Sequence, residues 1–171
     1  MAGPASDLAQ FRTAFRYQLR AYLRTWRFVG PLIFVTAVSI VILAVQLHNG
    51  VAEVTANHPA ASDELSAYLA EITDAVIITG AFLGGDALAV DLGGGPGYLM
   101  LALPVRRRTL FAGRFAAAAV TGAVIGLVYF AFGAGTVQYF YATIPAAIPL
   151  SIGLAFLFLL AVLAVAFFFS S

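Results

Sequence analysis

The chain alternates four long apolar blocks with shorter polar ones. Between Arg27 and His48 lie twenty consecutive uncharged residues, Phe28 to Leu47. As a helix rising about 1.5 Å per residue they match a hydrocarbon layer roughly 30 Å thick, which predicts a first span over 28–47. Twenty-seven residues precede that block, so it does not read as a cleaved secretory signal and is expected to remain as an anchor. The next block, Tyr68 to Val90, is interrupted by Glu71, Asp74 and Asp86, and its longest uncharged run is the eleven residues Ala75 to Gly85. That run is only about 17 Å long as a helix, so a span over 68–90 carries acidic groups at or inside the membrane edge. After Arg114 come 57 positions without Asp, Glu, Lys, Arg or His. They leave room for two further spans, placed at 110–133 and 149–169, and for a connection holding Tyr139, Phe140, Tyr141, Pro145 and Pro149. The fold class this predicts is all-α: a polytopic integral membrane protein of about four transmembrane helices. Each span is helical because backbone groups in lipid must satisfy one another within the segment.

Composition supports this reading. Of the 171 residues 62% are hydrophobic and 10% charged, and the mean hydropathy is +0.96. Soluble domains are about half apolar and a quarter charged, and they need a polar skin that these numbers cannot supply. Net charge is only +1, which gives a nucleic-acid partner no electrostatic support. The absence of cysteine excludes disulfides, thiol catalysis and thiolate metal sites. No repeat of 20 to 50 residues is present.

All nine basic residues are arginines: Arg12, Arg16, Arg20, Arg24 and Arg27 before the first span, and Arg106, Arg107, Arg108 and Arg114 between the second and third. The loop 48–67 has none and carries Glu53, Asp63 and Glu64. Four spans put every arginine on one side, and the positive-inside rule makes that side cytoplasmic, with the N-terminus inside and 48–67 outside. The expected location is the cell membrane. Domain organisation follows: a cytoplasmic amphipathic helix in 1–27 and a transmembrane domain in 28–171. In the N-terminal segment arginines recur every three or four residues beside a stripe of Leu8, Phe11, Phe15, Leu19, Tyr22, Leu23 and Trp26, the pattern of a helix lying along the membrane surface with its rings in the headgroup boundary.

Between the second and third spans the chain reads Asp91-Leu-Gly-Gly-Gly-Pro-Gly-Tyr-Leu-Met-Leu-Ala-Leu-Pro-Val-Arg-Arg-Arg-Thr-Leu-Phe-Ala-Gly-Arg114. Pro96 suits a first helical turn, Leu99 and Leu103 share one side of a short helix, and Pro104 stops it. This segment resembles the permease subunits of type-2 ATP-binding-cassette (ABC) exporters. The resemblance rests on Asp91, Gly95, Leu99, Leu101, Leu103, Pro104, Val105, Arg107 or Arg108, Gly113 and Arg114, with departures at Gly93, Gly94, Pro96 and Gly97. It covers about 24 residues closely, and the amphipathic start and span order extend it loosely over the whole chain. The resemblance implies that 91–109 is a cytoplasmic coupling segment docked on a separate ABC ATPase subunit. Asp91, Leu99, Leu103, Pro104 and Val105 would then make the contact, with Arg106, Arg107 and Arg108 at its rim or on lipid phosphates. It implies as partners that ATPase, a second permease copy or half, and membrane lipids. Members usually have six spans, so the resemblance implies either a partial chain, the favoured reading, or a reduced four-span subunit. The bland alternative is a basic loop that only sets orientation.

Glu71 and Asp74, three apart, share a helical face, and Asp86 lies near the inner end of the second span. An acid within the apolar layer is disfavoured as a charge, which makes it a candidate proton carrier; the plainer reading leaves all three in headgroup zones. The run Gly93 to Gly97 lacks the Gly-Lys-Ser/Thr and the preceding strand of a phosphate cradle, so no nucleotide or other cofactor is expected on this chain and any ATPase is a separate polypeptide. His48 and His58 read as isolated surface histidines rather than metal ligands. No serine has the context of a nucleophile, so the chain is not expected to be an enzyme. The leading function is an exporter's permease subunit; the rivals are a tetraspan scaffold and a proton-coupled carrier using the intramembrane acids.

Overall fold

The computed structural model describes residues 6–85 and 106–170. Among them it is all-helical, in the order α1 (Asp7–Leu23), α2 (Trp26–Asn49), α3 (Val51–Asn57), α4 (Ala61–Ala70), α5 (Ile72–Gly84), α6 (Arg107–Tyr141) and α7 (Ile148–Phe169). Four stretches are long and apolar enough to cross a membrane: Trp26–Asn49, Ala61–Gly84, Arg107–Tyr141 and Ile148–Phe169. The chain is therefore a multi-pass membrane protein in its architecture. Large apolar side chains such as Ile40, Val41, Leu154, Leu157 and Phe169 stand on the outside of the bundle, as lipid-facing residues do when hydrocarbon is the solvent.

Span limits follow from local chemistry. The second span begins at Ala61, seven residues earlier than the apolar pattern predicts, because its acids are accommodated: Asp63 accepts from the Ala60 N–H at 3.2 Å, and Glu64 is buried against partners on α2 and the preceding loop. Helical geometry pauses at Glu71, where α4 gives way to α5. The third span runs on to Tyr141, taking in Tyr139 and Phe140. Its 35 residues measure about 52 Å, far more than one hydrocarbon layer. Ala142, in left-handed geometry at φ 52°, ends it. Only 142–147 then separate α6 from α7, which starts with Pro149 in its first turn.

Packing relies on small residues at the crossings. Gly80 and Gly84, one turn apart on α5, face α7: a Cβ at Gly80 would stand 2.5 Å from Val162 Cγ1, and one at Gly84 2.5 Å from Ala166 Cβ. Without a hydrophobic drive between helices in lipid, such close approach supplies the dispersion contact that holds α5 on α7. The end of the bundle beside α1 is filled by Tyr22, Leu83, Ala117, Ala118, Leu163 and Phe167. Farther along, Val35, Tyr68, Ala75, Ile125 and Tyr129 form a second cluster. There the Tyr68 hydroxyl donates to Ser39 Oγ at 2.8 Å, its ring lies 4.7 Å from that of Tyr129, and the Tyr129 hydroxyl donates to the Tyr68 carbonyl. Three spans are joined with their hydroxyls satisfied, which an apolar medium requires.

Replacing Gly84 with leucine is expected to push α5 off α7, because the facing Ala166 Cβ has no rotamer through which to retreat. The loss should be about 1–3 kcal/mol, the usual cost of overpacking, read as a lower detergent-unfolding midpoint. Gly126→Ala, where a Cβ meets nothing within 4 Å, should not lower the midpoint, alanine being the better helix former.

Candidate functional site

The site begins with α1. Ser6 Oγ accepts from the Ala9 N–H at 3.3 Å to cap it. The apolar stripe read from the sequence divides: Phe11, Phe15, Leu19 and Tyr22 are partly or fully buried, whereas Leu8, Leu23 and Trp26 stay exposed. The buried half packs on protein, chiefly the first turns of α6. Arg12, Arg16, Arg20 and Arg24 lie on the exposed side.

Gly113 lies at this contact. A Cβ there would come within 3.0 Å of Ala14 Cβ, 3.1 Å of the Phe11 carbonyl and 3.2 Å of the Phe15 nitrogen, so a larger residue needs the α1 backbone to give by a few tenths of an ångström. The next residue, Arg114, is 8% exposed, and its guanidinium acts electrostatically on the Tyr22 phenol. The Gly-Arg pair at the entrance of the third span is thus the seat of α1.

From this seat α1 reaches both flanks of the segment 86–105. At its start, Asp7 Oδ2 pairs with Arg106 Nη1 at 2.6 Å, and Gln10 Oε1 accepts from the Arg106 N–H at 3.4 Å. At its end, the Tyr22 hydroxyl donates to the Leu83 carbonyl at 2.8 Å, near the end of α5. The Asp7–Arg106 pair is largely exposed, with side chains 55% and 74% accessible, so it contributes little stability. Tyr22 is wholly buried and holds its bond away from water, where leaving it unmade is costly.

Of the residues singled out in the sequence, Asp86, Asp91, Leu99, Leu103, Pro104 and Val105 lie outside the described residues. Arg106 caps α6, while Arg107 and Arg108 are exposed in its first turn. Glu71 and Asp74 are exposed as well, Glu71 at the α4–α5 break and Asp74 ten residues before Gly84, well inside the span.

At the opposite end of the bundle the structure brings together residues that sequence reasoning kept apart. Glu64, fully buried, accepts from the Gln46 side-chain amide and contacts His58 Nδ1 at 2.6 Å. The Tyr141 hydroxyl donates to the His58 carbonyl. His58 is therefore one arm of a polar latch joining α2, α4 and α6, not an isolated surface histidine. The six-residue spacing of His58 and Glu64 crosses a loop and carries no helical periodicity that would reveal it. Among the described residues no group of three His, Cys, Asp or Glu side chains could hold a metal ion.

Burial pushes the Tyr22 phenol above its ordinary value. The folded state then keeps this proton when the unfolded chain has lost it. The stabilisation is complete below the ordinary tyrosine value of about 10 and is lost as pH rises through the higher folded-state value. Tyr22→Phe should cost about 1 kcal/mol near neutral pH, from the lost bond to Leu83, and the gap to the native chain should close above pH about 10. Detergent unfolding at both pH values checks this; a gap independent of pH contradicts it.

No protein-family model, curated protein or solved structure matches the chain.

Proposed function

We propose that this chain is the membrane-spanning permease subunit of an ATP-driven exporter of the ABC type, working with a separate ATPase and a second permease copy or half in the cell membrane. The observation that carries the reading is the bridge made by α1. A subunit that converts a partner's motion into movement of its spans needs its docking segment fixed to those spans at both ends. Here Asp7 and Gln10 engage Arg106 on one flank, Tyr22 engages Leu83 on the other, and Gly113 seats α1 between them. Force applied to 91–109 would reach α5 and α6 together. The arginines of both segments also share one end of the bundle, while Glu64 and His58 occupy the other, the partition that the positive-inside rule reads as N-terminus cytoplasmic.

A second reading, proton-coupled carriage, draws on the exposure of Glu71 and Asp74 within a span. Carboxylates there are costly and tend to mark ion or proton paths. It requires transport that continues without ATP and collapses in Asp74→Asn. Transport that stops on ATP depletion and survives Asp74→Asn removes it.

The exporter reading is tested by affinity purification of the full chain from its native membranes. A Walker-motif ATPase should co-purify. Charge reversal at Arg107 and Arg108, or Leu103→Asp, should release it while the chain remains membrane-inserted. Unchanged recovery, or no ATPase with the native chain, overturns the reading.

A further inference from the structure

Between α5, α6 and α7, with Val35 of α2 contributing to its wall, lies an apolar crevice of about 630 Å³ including its open mouth. It exists because α7 is pressed onto α5 at Gly80 and Gly84 and onto α6 at Gly122, where a Cβ would stand 2.8 Å from Leu159 Cδ2. Beyond Leu159 toward the start of α7 no such glycine contact continues. A Cβ at Gly126 or Gly153 meets nothing within 4 Å. Buried Val35, Thr79 and Leu159 form deep wall, whereas Leu127 and Phe156, both lining it, are substantially exposed and mark the mouth.

We infer that this crevice is a binding site for one alkyl chain of a membrane lipid. The first ground is its chemistry. Thr79 and Tyr129 are the hydroxyl-bearing residues in the lining, and the Tyr129 hydroxyl already donates to the Tyr68 carbonyl. A buried water needs two to four polar partners, so the cavity does not hold water well, and dry apolar cavities of this kind take up hydrocarbon guests.

The second ground is its position. Lining residues Ile152 and Phe156 lie four and eight residues from the start of α7 at Ile148. That is about 6–12 Å along the helix, a depth at which the surrounding medium is acyl chain. An empty crevice there would leave its walls without dispersion partners on one side, and a neighbouring chain supplies them without crossing any polar barrier. The site is independent of ATPase coupling and stands whether or not that reading holds.

The test uses the full chain in lipid nanodiscs made with a phosphatidylcholine that carries a photoactivatable diazirine midway along one acyl chain, with adducts mapped by mass spectrometry. Bulk lipid labels exposed surface in any case, so the decisive positions are the buried ones, Val35, Thr79 and Leu159. The native chain should carry adducts there. Gly126→Phe, which places a ring in the crevice, should lose them while retaining adducts on exposed Leu150 and Leu154. Gly135→Phe, at another α6 glycine where a Cβ meets nothing within 4 Å, should keep all of them. If Gly126→Phe fails to fold, Gly126→Leu replaces it, and the deep-wall labelling of the native chain still decides. Absence of deep-wall adducts in the native chain overturns the inference, as does equal labelling of a folded Gly126 variant.

Discussion

The approach of α1 to α6 at Gly113 is the constraint from which this end of the molecule is built. A Cβ there would meet Ala14, Phe11 and Phe15 at 3.0 to 3.2 Å, so a larger residue needs the α1 backbone to give by a few tenths of an ångström. Tyr22, farther along the same helix, takes its position over Leu83 from that seating. The two hydrogen-bonded ends differ in kind. The pair at Arg106 is exposed and exchangeable, whereas the bond from Tyr22 is buried and has no water to replace it. The helix is thus anchored firmly at α5 and lightly at the start of α6.

Elsewhere the buried polar groups, Gln46 Oε1 excepted, obey the same rule of a medium that offers no hydrogen bonds. Tyr68, Tyr129 and Ser39 satisfy one another between α2, α4 and α6, and Glu64 lies buried only because Gln46 and His58 meet its oxygens. Glycines perform the complementary task on apolar surfaces. Gly80, Gly84 and Gly122 bring α5, α6 and α7 to contact distance toward the end beside α1, and the crevice opens where that series stops. Along α7, close packing and gap follow from where these glycines meet it, whereas Gly133, farther along α6, admits Tyr68 of α4.

Much of the architecture is legible in the sequence. The four spans follow from uninterrupted apolar length, and the clustering of arginine at one end follows from its distribution along the chain. What the sequence conceals is which surface an apolar stripe meets. Phe11, Phe15, Leu19 and Tyr22 would look the same whether they faced lipid or α6, and only the small residues opposite them, Gly113 above all, distinguish the two. Charge misleads at the second span for a related reason. Asp63 and Glu64 read as loop, yet their partners are supplied by residues remote in sequence or across a turn, so α4 extends through them. Tyr139 to Tyr141 suit an interface equally well inside a long helix or just after it. The crevice depends on how α7 diverges from its neighbours, a property of three helices together that no single segment encodes. Of the candidate docking residues, the three arginines belong to the described fold, and the short apolar run before them lies outside it.

The seating of α1 is tested most directly by a disulfide, since the chain has no native cysteine to interfere. Ala14 and Gly113, replaced together by cysteine, would place their Cβ atoms 3.0 Å apart in the present backbone, and a shift of a few tenths of an ångström brings them to the roughly 3.5–4.5 Å that a disulfide needs. Mild oxidation in native membranes should link them efficiently, while a pair made from exposed Arg12 and Gly113 should remain reduced. If the first pair stays open with both thiols reactive, or both pairs close equally, α1 does not rest on α6, and the bridge across 86–105 is absent.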